Sequence, residues 1–151
     1  MRALLPVVYA LLVLAVGGAL SVQTQVNARL GQQLGHPIVA SVASFIVGLL
    51  LLLVIALVVR APLPTGAAMA ATPLRWWIGG ALGAVFIATS IVIAPRIGLG
   101  YFAVLVIAGQ LIAALWLEHT GWLETRQHPV TLLRVLGVVL VLLGAVLVRW
   151  R

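Results

Sequence analysis

The chain has 151 residues, 64% of them hydrophobic and 7% charged, with a mean hydropathy of +1.28; too little polar surface remains to cover a water-soluble globule, so an integral membrane protein is expected. The net charge of +7 comes from nine arginines set singly at the ends of apolar runs, which is membrane anchoring rather than a nucleic-acid-binding stripe. Cysteine and aspartate are absent and Glu118 and Glu124 are the only acids, which excludes disulfides and thiolate chemistry, starves carboxylate-pair or Ser-His-Asp catalysis, and leaves no enzyme, cofactor or metal expected.

In chain order, apolar runs predict a single membrane domain over residues 1–151 with spans at about 3–28, 38–59, 76–94, 98–117 and 130–148, since roughly 20 residues cross a bilayer core. The first run begins at Ala3 and flows directly into a polar patch, so it is kept in the mature protein rather than read as a signal peptide. From Ser21 to Gly48 the chain reads SVQTQVNARLGQQLGHPIVASVASFIVG. This is the chief candidate for function, because uncharged polar groups at the end of an apolar helix must find partners that lipid does not supply. Gln23 and Asn27 lie four apart and share a helix face. Arg29 and GQQLGHP close a tight connection, with Pro37 suited to a first helical turn.

The second span carries Ser41, Ser44 and Gly48, and Ala61–Pro73 is a breaker-rich loop. Arg75, Trp76 and Trp77 mark the next interface. Gly79 and Gly83 form a GxxxG pair in the third span, and Thr89 and Ser90 are read as hydroxyls bonded back to helix carbonyls. Pro95–Gly98 is a short connection, which makes spans three and four antiparallel neighbours. The fourth span holds Tyr101 near its start and one amide, Gln110, well inside. The last loop, Glu118–Pro129, carries His119, Trp122, Glu124, Arg126 and His128. In the fifth span Arg134 stands one turn in, from where it can snorkel outward, and Gly137 and Gly144 offer a seam for a partner helix. No glycine-rich phosphate loop is present, so an ATP-driven pump would need another chain as its engine.

Five spans put Arg2, Arg60, Arg75, Arg126 and Arg134 on one side and Arg29, Arg96, Arg149 and Arg151 on the other, five against four. A chain with so little positive-inside bias is expected to insert either way up, and two oppositely oriented copies form an inverted repeat, a recurrent transporter architecture. The plain alternative is a single orientation fixed by something other than charge.

Several motifs together carry a resemblance: Q-x-x-x-N-x-x-L at Gln23, Asn27 and Leu30, G-x-P at Gly35–Pro37, Ser44-Phe45 with Gly48, A-P-R-x-G at Ala94–Gly98, and G-Q-L at Gly109–Leu111. Over nearly its whole length the chain resembles the short five-helix YdcZ-type family of the drug/metabolite transporter superfamily. Glu118 stands where that family often has aspartate. The resemblance implies an all-α protein of the bacterial inner membrane that pairs as an antiparallel, dual-topology homodimer of ten helices. It names no substrate.

Gln23, Asn27, Ser41, Ser44 and Gln110 are the candidate substrate-binding groups. Amides and hydroxyls both donate and accept, which suits a small polar or amphiphilic solute moved by alternating access; the alternative is that they only tie helices together. Glu118 with His119 is the candidate for proton coupling, against the plainer reading of an interfacial acid paired with an arginine. Gly48, Gly79, Gly83, Gly137 and Gly144 are expected at helix-packing seams. The expected partners are membrane lipid, a second copy of the chain and the solute, with no nucleic acid. Two rival readings stay open: a non-transporting scaffold or hetero-oligomer subunit, and a lipid-modifying membrane enzyme, for which three separated histidines and two glutamates are poor material.

Overall fold

The computed structural model describes residues 4–150. The Ala3 start of the first span, Arg2 and Arg151 lie outside the described residues. Among those described, the chain is all-helical, and five of its helices are long and apolar enough to cross a membrane. They fall in two compact units, one reaching Arg96 and the other beginning at Ile97.

In the first unit α1 (Leu4–Gln33) and α2 (Pro37–Val58) pack against each other, joined by a connection of three residues, Leu34 to His36. Helix α1 does not stop at the polar patch. It continues to Gln33 because Gln23, Gln25, Gln32 and Gln33 are straight-chain residues that lose little freedom in a helix, and no glycine or proline pair interrupts them. Leu34 N–H still bonds to Leu30 O at 2.9 Å before Gly35 turns the chain. His36 then caps α2, its Nδ1 accepting from Ile38 N–H at 3.2 Å, and Pro37 takes the first helical position, where a missing N–H costs nothing.

The breaker-rich stretch after α2 contains one short helix, α3 (Gly66–Ala71), capped by Thr65 Oγ1 accepting from Ala68 N–H at 3.2 Å. A 3-10 turn over Leu74–Trp77, with the Arg75 guanidinium 5.3 Å from the centre of the Trp76 ring, leads into α4 (Ile78–Ile97). The sequence places a connection at Pro95–Gly98; α4 instead runs through Pro95 to Ile97. Its proline lies in the last turn, where few helical bonds remain to lose.

The next helix, α5 (Leu99–Thr120), begins one residue later, so Gly98 alone makes the turn, at φ +91°, a left-handed value that side chains resist. In the second unit α5 packs on α6 (Leu132–Arg149). Their connection is held to α5 by His128 N–H donating to Glu118 O at 2.9 Å and by Gln127 Nε2 donating to Thr120 O at 3.3 Å. Thr131 Oγ1 caps α6 by accepting from Arg134 N–H at 3.4 Å.

The first unit's core is confined to one end. Thr24, Asn27, Ala28, Gly31, Ala40, Ser41, Ser90, Ile91 and Ala94 are buried, whereas no residue of 5–20, 42–58 or 78–89 is. Apart from Asn27 and Ile91 the buried side chains are small, which suits helix interfaces in membranes, where close backbone approach must replace the hydrophobic drive that lipid abolishes.

Candidate functional site

Gly31 sets the register of the first unit. A Cβ there would lie 2.8 Å from Ile91 Cγ2, 3.8 Å from Ala40 Cβ and 3.8 Å from Pro37 Cα. Helices α1, α2 and α4 therefore meet at one level, close to the connection between α1 and α2, and only glycine lets them do so. Asn27 is one helical turn earlier on the same face, about 6 Å further from that connection. Because α2 runs back along α1, the residue of α2 one turn beyond Ala40, Ser44, belongs to the same level as Asn27.

The polar groups around this level differ in what they are bonded to. Thr24 Oγ1 donates to Leu20 O at 2.9 Å, Ser41 Oγ to Pro37 O at 3.0 Å, and Ser90 Oγ to Ile87 O at 2.8 Å. Each hydroxyl thus spends its proton on its own helix, and none of the three ties one helix to another. Asn27 is only 4% exposed, and among the described residues its amide has no hydrogen-bond partner. Its nitrogen and oxygen are not sealed either, so the small surface it keeps is at the amide. A buried amide costs about 1–3 kcal/mol when nothing answers it. Gln23, on α1, is exposed, and Ser44 is half-buried; neither side chain is bonded among the described residues.

A groove of about 530 Å³ runs between α2 and α4, walled by Ile38, Val42, Phe45, Ile46 and Leu49 on one helix and Ala84 and Ala88 on the other. Ser41 is its only hydroxyl, already committed to Pro37 O, so the groove is oily and distinct in chemistry from the Asn27 amide.

In the second unit Gln110 lies at the middle of α5, 11 residues from Leu99 and 10 from Thr120, which puts it about 15 Å from either end of that helix. It is exposed and unbonded among the described residues. Glu118 is in the last turn of α5 rather than in a loop, and its carboxylate meets Arg134 Nη2 of α6 at 2.5 Å. Arg134 therefore does not snorkel free: its charge is answered in place, and its Nη1 is buried without a hydrogen-bond partner. His119, next to Glu118, is exposed. Trp116 and Trp122 pack edge to face at 5.4 Å, and the Arg149 guanidinium stands 5.7 Å from the centre of the Tyr101 ring, an arrangement suited to the headgroup level.

Among the described residues no three of His, Cys, Asp or Glu gather closely enough to hold a metal. At the packing glycines, a Cβ on Gly83 would meet Phe45 Cζ at 3.7 Å, while one on Gly48, Gly79, Gly137 or Gly144 would meet nothing within 4 Å. Sequence reasoning passed over Gly31 and Ile91, the tightest glycine approach in the first unit. The available signal was the spacing of Asn27 and Gly31, a polar and a small residue four apart on one helix face.

A family model described as "Putative inner membrane exporter, YdcZ" matches residues 8–147. Comparison with curated proteins gave no match, and neither did comparison with solved structures.

Proposed function

This chain belongs to the YdcZ family, described as that of an inner membrane exporter, and it is a multi-pass inner membrane protein; on that premise we propose that it is a dual-topology half-transporter. Two copies inserted in opposite orientations pair into a ten-helix unit that moves a small polar or amphiphilic solute by alternating access. The near-balanced arginine count supports the pairing, since neither orientation is strongly preferred.

The observation that carries the transport reading is that the three amides are uncommitted. Among the described residues Gln23, Asn27 and Gln110 are bonded to no neighbouring helix of their own chain, which leaves all three available in the pair. In the pair each is presented twice. Asn27, Gln23 and Gln110 donate and accept, Ser44 does the same, and Ser41, its proton already placed, accepts only. Glu118, held by Arg134, and its neighbour His119 are the groups proposed for proton coupling.

The test uses the absence of cysteine. Gln110→Cys in the full chain, reconstituted in liposomes, should react with a water-soluble methanethiosulfonate at least roughly tenfold faster than Leu140→Cys, an exposed position in the middle of α6, because water is excluded from lipid but not from a solute pathway. Equal rates at the two positions would favour the scaffold reading instead.

A further inference from the structure

Among the glycines of the first unit, the one with the least room for a side chain stands one turn from the Asn27 amide. A Cβ at Gly31 would come to 2.8 Å from Ile91 Cγ2, with Ala40 and Pro37 completing the layer at 3.8 Å, and Asn27 is one turn away on the side remote from the α1–α2 connection. Thr24, a further turn along α1 on that remote side, is the last buried residue there; beyond it α1 from Leu5 to Leu20, α2 from Val42 to Val58 and α4 from Ile78 to Thr89 have none. The unit is packed at the connection end of its polar level and loses its packing beyond Thr24.

The layer at the connection end is apolar. The atoms that a Cβ at Gly31 would meet, on Ile91, Ala40 and Pro37, are all carbons, and the neighbouring hydroxyls of Ser41 and Ser90 are bonded to their own helices. Parting this layer breaks no hydrogen bond. In a bilayer, acyl chains replace the lost contacts, so separation here costs far less than breaking a polar tie would.

We infer that the Gly31–Ile91 contact is a gate that closes the connection end of the Asn27 site, so that in this conformation a solute reaches the amide only from the opposite end. The inference rests on the transport reading and adds to it which residues alternate. Opening moves Ile91 off Gly31; the absence of a side chain at position 31 is what allows the closed state to form.

The experiment is a cycle in the full chain carrying Asn27→Cys, with Gly31→Ala, Ile91→Ala and both together, reconstituted in liposomes and reacted with a water-soluble maleimide. Gly31→Ala wedges the layer apart and Ile91→Ala removes its plug, so each alone should raise the reaction rate of the introduced thiol roughly fivefold, and the double substitution, which returns a methyl to the vacated space, should fall back toward the starting rate. Ile91→Ala introduces no clash and carries the test if Gly31→Ala does not fold. A thiol that reacts at one common rate in every background overturns the gate and leaves the transport reading standing. A thiol inert in every background overturns the transport reading itself, because Asn27 is then sealed packing.

Discussion

The Glu118 carboxylate and the Arg134 guanidinium meet at 2.5 Å across 16 residues of sequence, tying the last turn of α5 to the first turn of α6. An arginine inside an apolar span needs an answering group or a route to water, and here the answer is the neighbouring helix. Glu118→Gln should lower stability by about 1–2 kcal/mol, less than the loss of a fully buried pair because both side chains keep about a third of their exposure. The double variant Glu118→Gln/Arg134→Leu should recover more than half of that loss in a thermal melt, since most of the cost is an arginine left unanswered.

The His36 imidazole accepts at Nδ1 from Ile38 N–H and so replaces the usual Ser, Thr, Asp or Asn cap of α2. His36→Ala should cost about 0.5–2 kcal/mol in melting experiments, and His36→Asn should cost little, because the short amide can take over the bond.

The glycines at 137 and 144 lie on α6 where a side chain would enter open space within the chain. Gly137→Leu and Gly144→Leu should therefore leave the helices of each unit intact, as judged by circular dichroism. If α6 lends this face to a second copy, as proposed, the same substitutions should lower the cross-linked dimer fraction by roughly tenfold, because small residues are what permit close backbone approach between helices in lipid.

The helices themselves were the legible part of this chain. Apolar runs of about 20 residues announce themselves in any bilayer-crossing sequence, and His36-Pro37 marks the start of α2 locally. Boundaries were less so: Gln32 and Gln33 look like loop but continue α1, and Pro95 looks like a stop but sits in a final turn that tolerates it. The candidate site was legible only as an inventory. Composition reveals which residues carry amides and hydroxyls, yet not that Thr24, Ser41 and Ser90 satisfy their own helices while Asn27 does not. That depends on rotamers and on which helix faces which. The Gly31–Ile91 approach and the Glu118–Arg134 pair were hidden for the same reason, each joining separate helices through register that no local pattern encodes.

Charge balance makes a further prediction. Arg149→Ala with Arg151→Ala removes two of the four arginines on their side and changes the count from five against four to five against two. The altered chain should insert predominantly with its amino-terminal side in the cytoplasm, as read by protease or thiol accessibility, since arginines flanking spans set orientation.

The most direct measurement places a single cysteine after Arg151 in this cysteine-free chain and labels intact cells with a membrane-impermeant maleimide, then repeats the labelling after permeabilisation. About half of the molecules should label from outside, with the rest labelling only once the membrane is opened, because near-equal arginine counts populate both orientations. Labelling of all molecules from one side alone would contradict the antiparallel homodimer, and the inverted repeat would then have to come from a second chain of opposite orientation.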